Sequence, residues 1–83
     1  MKKKQLGFNI VVLDGGFVYV GECMLEDGFL CITDARNIRR WGTDKGLGQL
    51  REGPTSSTIL DPYGDVVAPI GRVIHFIRCS RKW

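Results

Sequence analysis

The chain has 83 residues, 43% of them hydrophobic and 25% charged, with a net charge of +3 and no low-complexity tract. That describes one ordinary globular domain, residues 1–83, whose thin core buries only about 60% of the surface exposed on unfolding. Self-association is a common supplement at this size, and the mild basicity is no argument for nucleic acid, because only basic patches, not the total, speak to that.

The opening Met1-Lys2-Lys3-Lys4 and the closing Arg78, Arg81 and Lys82 read as solvated ends. The apolar run from Phe8 to Leu13 contains Asn9, is cut off by Asp14 and lacks a small-residue cleavage site, so it is not expected to be a secretion leader. No segment approaches the ~20 apolar residues that span a bilayer. Cys23, Cys31 and Cys79 are an odd set, which argues against a secreted disulfide framework. The expectation is a cytoplasmic protein with reduced thiols.

Residues 8–13 and 16–24 are strand-like, rich in valine, isoleucine and aromatics. Asp14-Gly15-Gly16 between them is a tight-turn signal, because glycine accepts positive φ. Glu26-Asp27-Gly28 repeats the pattern before a strand at 29–33, and a three-residue loop there places Cys23 opposite Cys31. Phe17 and Tyr19 point to one face of their strand and Val18 and Val20 to the other. Apolar strands with two greasy faces suit a closed barrel whose outer surface meets another copy, or a thin sandwich.

Asp34 to Trp41 continues extended, and Gly42-Thr43 ends it. Residues 45–52 predict one or two helical turns, capped by Thr43 or Asp44, with Leu47 and Leu50 on one face and Gly53-Pro54 as the stop. Gly46 and Gly48 weaken this helix, so docking must hold it. Ile59-Leu60 is a short strand and Asp61-Pro62-Tyr63-Gly64 a turn. Val66 to Ala68 leads through Pro69 into a last strand over 71–79. The sum is an all-β fold with one short helix: an SH3-like or Sm-like barrel of about five to six antiparallel strands, with a helix-containing insert around 42–58.

The middle segment, Asp34 to Asp65, carries Ala35, Ile38, Arg39, Arg40, Trp41, Gly42, Thr43, Gly46, Leu47 and Leu50, followed by Gly53, Pro54, Thr58, Leu60, Asp61, Pro62 and Gly64. This pattern resembles a group of short proteins from tailed phages and prophages without a settled activity, and the likeness covers nearly the whole chain. It implies a phage origin. The opening IVVLDGGFVYVGECMLEDGFLCITDA and the closing GRVIHFI are also similar to the two motifs of Sm-like barrels, which form rings and bind RNA. The chain departs from that pattern by a long insert and by lacking an N-terminal helix, so barrel topology alone carries over.

Catalytic chemistry finds little support. His75 and Cys79 lie four positions apart on one strand, roughly 13 Å at ~3.3 Å per residue, so they can neither share a zinc ion with Cys23 and Cys31 nor form a couple. The loop Gly53-Pro54-Thr55-Ser56-Ser57-Thr58 lacks the lysine and helix of a phosphate-binding loop. The expectation is a non-enzyme with no metal and no cofactor.

The binding expectation is an anion or nucleotide pocket. Arg36, Arg39 and Arg40 supply forked donors, Trp41 and Tyr63 supply stacking surface, and the hydroxyls of Thr55, Ser56, Ser57 and Thr58 add donors. On a strand Arg39 and Arg40 face opposite ways, so at most one sides with Trp41. The bland reading stands beside it: Trp41 in the core, one arginine paired with Asp34 or Asp61, and the loop a connector. For a phage-encoded oligomer, sequestering a host defence nucleotide is the favoured use. The alternatives are a blocker of a host protein with Phe8, Tyr19, Tyr63 and Trp83 as exposed anchors, an RNA-binding module, or a virion or assembly component.

Overall fold

The computed structural model describes residues 3–83. Met1 and Lys2 lie outside the described residues, so of the opening lysines only Lys3 and Lys4 are placed. Five antiparallel strands form one sheet: β1 (Lys3–Leu13), β2 (Val18–Glu26), β3 (Phe29–Arg40), β4 (Ile59–Pro69) and β5 (Val73–Arg78). Their order is β4-β3-β2-β1-β5, a four-strand meander whose last strand returns beside the first. The small all-β fold matches the sequence expectation, with β4 and β5 as the two edges.

The strands are longer than the apolar runs that announce them. β1 starts at Lys3, not Phe8, because its polar first residues pair with the far end of β2, Lys3 opposite Glu26. The turn between β2 and β3 is also tighter than expected. Glu26 pairs with Phe29, leaving a two-residue turn in which Asp27 and Gly28 both take positive φ, the pattern of a type I′ hairpin. The register therefore sets Cys23 against Ile32 and Cys31 against Met24. One residue of slip sends a side chain to the other face, so the two thiols do not oppose each other, and all three cysteines are free.

Asp61-Pro62-Tyr63-Gly64, expected as a turn, is part of β4. Ala35 pairs with Gly64 and Arg36 with Pro62, so Tyr63 is the extra residue of a bulge, next to a Gly64 with φ of 74°. Pro62 is tolerated because β4 is an edge and needs no outward donor. The predicted helix is a 3₁₀ segment, Leu47–Glu52. No Thr43 or Asp44 side chain caps it. Instead the Gln49 Oε1 accepts hydrogen bonds from the backbone N–H groups of Asp44 (3.0 Å) and Lys45 (2.9 Å).

Both faces of the central strands are buried within this one chain. Val11, Leu13, Tyr19, Cys23, Leu30, Ile32, Ala35 and Ala68 form one core. Ile10, Val18, Val20, Ile38 and Leu50 form the second, covered by Leu47, Leu60, Cys79 and Trp83. The two greasy faces thus need no second copy: the docked 3₁₀ segment and the tail after β5 cover the second one. No helix among the described residues is long and apolar enough to cross a membrane.

Candidate functional site

A concave site lies where β2 and β3 bend beside the tail. The bend has a sequence cause at Gly21. A Cβ there would come within 2.7 Å of the Ile32 Cγ2 and 2.9 Å of the Thr33 carbonyl oxygen, so only glycine lets the strands approach so closely. The β2–β3 register shifts across Gly21, and the β3–β4 register shifts between Ile32 and Ala35. At that second shift Asp34 has φ of 51°, and its N–H donates to Asp65 Oδ1 at 3.1 Å.

The resulting groove has a volume of about 680 Å³, within the usual range of ~300–1,000 Å³ for small-molecule sites. Its walls are Phe8 from β1, Glu22 from β2, residues 33–36 of β3, Pro62 and Gly64 of β4, and Lys82 and Trp83 of the tail. Phe8 and Trp83 meet edge-on with ring centroids 5.9 Å apart. The Arg36 guanidinium lies 5.4 Å over the Trp83 ring, a cation–π pair. Among the described residues no carboxylate pairs with Arg36.

Lys82 Nζ lies 3.1 Å from Glu22 Oε1, yet that sealed oxygen accepts no aligned hydrogen bond. The contact acts as an ion pair, since Coulomb attraction needs no alignment. The Trp83 indole N–H is likewise buried without an acceptor in hydrogen-bond geometry. It faces the Cys79 thiol closely enough to favour the thiolate, but burial outweighs this and raises the Cys79 pKa. A protonated thiol is a poor nucleophile.

The nine residues singled out in the sequence do not converge on one site. Arg36 alone lines the groove. Arg39 forks onto Asp61, Nε to Oδ2 at 2.8 Å and Nη2 to Oδ1 at 3.3 Å, which is the bland pairing. Arg40 is exposed and makes no ion pair among the described residues. Trp41 is not core: it is 43% exposed. Its carbonyl oxygen accepts the Thr58 hydroxyl at 2.8 Å. The Thr55 hydroxyl donates to the Gly42 carbonyl at 2.6 Å, Thr58 Oγ1 accepts the Thr55 N–H at 2.8 Å, and Thr55 Oγ1 accepts the Ser57 N–H at 3.1 Å. The threonine hydroxyls therefore tie the loop to the end of β3. Ser56 and Ser57 are exposed. Tyr63 is exposed and meets Tyr19 edge-on at 5.3 Å.

Of the anchors expected on the surface, only Tyr63 is well exposed. Tyr19 is 7% exposed in the first core, and Phe8 and Trp83 are half-buried against each other. The alternation of β2 puts Tyr19 inward once the first core is known. Sequence reasoning set Trp83 among exposed anchors and Lys82 among solvated ends, not at the groove with Arg36, because a tail has no periodicity to read. A tryptophan within a run of polar residues was the available signal, since so large an apolar ring rarely stays uncovered.

The chain matches no protein-family model, no curated protein and no solved structure.

Proposed function

We propose that this chain is a non-enzymatic binding module whose groove under the tail takes an anionic, base-bearing ligand of the nucleotide class. The observation that carries this reading is the Arg36 guanidinium, 5.4 Å over the Trp83 ring and without a carboxylate partner among the described residues. An aromatic face satisfies a guanidinium's charge without using its N–H donors, which leaves the fork available for a phosphate. Phe8 and Trp83 offer apolar surface for a base. Thr33 and Asp34, which also line the groove, supply acceptors for its exocyclic groups. Binding without turnover suits sequestration, and with the phage resemblance it points to a host nucleotide signal as the target.

Self-association fits the two sheet edges. β5 is an edge strand with Ile74 63% exposed and Phe76 also exposed, and unpaired edges of this kind template pairing with another chain. A second reading, blocking a host protein, is favoured by one patch. Phe29 lies beside Pro69 and Cys31 beside Val67, so Phe29 and Val67 (61% exposed) share the outward face, opposite Leu30 and Ile32.

Thermal denaturation with a panel of mono-, di- and cyclic nucleotides tests the proposal. A ligand at about 100 times its Kd adds about 2.7 kcal/mol, an upward shift on the order of 10 °C for a domain this small. No shift with any nucleotide, together with a host protein that co-purifies and is lost on Val67→Asp, supports the blocker instead.

A further inference from the structure

A second cleft, with a volume of about 420 Å³, lies where the tail leaves β5 and is lined by Arg51, Ile77, Arg78, Cys79 and Ser80. Most of its polar groups are already engaged. The Cys79 N–H donates to the Phe8 carbonyl and the Ser80 N–H to the Arg51 carbonyl, each at 3.0 Å. The Ser80 hydroxyl lies 3.1 Å from that same carbonyl and 2.9 Å from Glu52 Oε1. The guanidiniums of Arg51 and Arg78 are different: neither makes a hydrogen bond or an ion pair through its side chain among the described residues.

The other arginines put this in proportion. Arg39 holds Asp61, Arg72 holds Asp14 at 2.9 Å, and Arg81 donates to the Glu52 carbonyl at 2.8 Å. Those whose side chains make no hydrogen bond or ion pair among the described residues are Arg36, Arg40, Arg51 and Arg78, and all but Arg40 line one of the two clefts. The clefts share a wall. Trp83 closes the first, its indole N–H faces Cys79, and Cys79 lines the second.

We propose that the Arg51–Arg78 cleft is a second phosphate subsite, so that the ligand carries two phosphates and straddles the tail as phosphodiester-linked nucleotides. This rests on the groove reading above and names its ligand class. Two arginines lining one cleft, both without a side-chain partner among the described residues, suit a phosphate, because each guanidinium presents planar paired donors that match its oxygens. One phosphate lies at Arg36 and the other between Arg51 and Arg78. The chemistry is shared by a free dinucleotide and by a short single strand.

Isothermal titration decides, with adenosine monophosphate, the dinucleotide pApA, an oligoadenylate strand and inorganic phosphate as probes. The wild-type chain is expected to bind pApA at least about tenfold more tightly than the mononucleotide, the gain from one charge-assisted contact. Replacing Arg51 and Arg78 together with alanine removes that advantage and leaves mononucleotide affinity unchanged. Arg40→Ala changes neither. Both sites are exposed, so an unshifted melting temperature checks that the double variant is folded. A dinucleotide preference that survives in the double variant, or equal affinity for both nucleotides in the wild type, overturns the second subsite while leaving the groove intact. If no nucleotide binds but inorganic phosphate does, and the double variant abolishes it, the groove reading falls and the second anion site stands. If no probe binds, both fall. Tighter binding of the strand than of pApA, with steep weakening in salt, identifies a strand as the source; equal affinity identifies a free dinucleotide.

Discussion

Two regions of this molecule bring arginine, tryptophan and hydroxyl groups close together, and they have opposite fates. At the end of β3 the loop 53–58 turns its threonine hydroxyls onto the backbone of Trp41 and Gly42, while Arg39 is clamped by Asp61. Under the tail, Arg36 rests near an indole with no acid of its own, and Arg51 and Arg78 stand unengaged across the wall. The comparison teaches that residue type does not mark a site. What matters is whether the chain has already satisfied its own donors: a satisfied donor holds the fold, and an unsatisfied one near concave apolar surface is available to a ligand.

The largest effect expected on either region comes from Leu50→Ala. Leu50 is fully buried and pins the insert across the second core. Its truncation is expected to cost about 2–5 kcal/mol in denaturant unfolding, and a loss below about 1 kcal/mol shows that the insert is not docked. Thr58→Val comes next and breaks the loop side of the comparison. It strands the Thr55 N–H and the Trp41 carbonyl, costing about 1–3 kcal/mol without changing ligand affinity.

An alkaline titration sharpens the account of the first core. Burial pushes the Cys23 thiol from 9.0 up to about 11. A raised folded-state pKa means the stability it contributes is complete below pH 9 and is lost as pH rises toward 11. Tyr19 shifts upward too, mainly by desolvation, so the loss continues beyond the cysteine's share. Stability measured from pH 8 to 11 should fall less steeply in Cys23→Ala; an unchanged slope shows that the thiol is not desolvated. The smallest effect is Asp61→Asn. The Arg39 pair is exposed, and its removal is expected to cost no more than about 1 kcal/mol.

The fold was readable in the sequence where it rests on local rules. The glycine turns and the alternation around Tyr19 and Val20 are local, and so is the Leu47–Leu50 docking face. That one arginine pairs with Asp34 or Asp61 was the bland alternative. That it is Arg39 with Asp61 follows from the β3–β4 register, which draws Asp61 out of the expected turn and sets it opposite Asn37. Three things depended on partners distant in the chain. The lengths of β1 and β4 are set by cross-strand pairing that carries polar residues such as Lys3 and Asp65 along. The Tyr63 bulge exists because β4 follows the bend at Asp34. The groove joins Phe8 to Trp83 and Arg36 to Lys82, pairings that no window along the chain contains.

The direct test is a binding titration of the best-stabilising nucleotide into the wild type, Arg36→Ala and Arg39→Ala. Loss of binding in Arg36→Ala with wild-type affinity in Arg39→Ala is the predicted result. The reverse pattern, with Arg39→Ala losing the ligand and Arg36→Ala keeping it, contradicts the groove and returns the site to the end of β3.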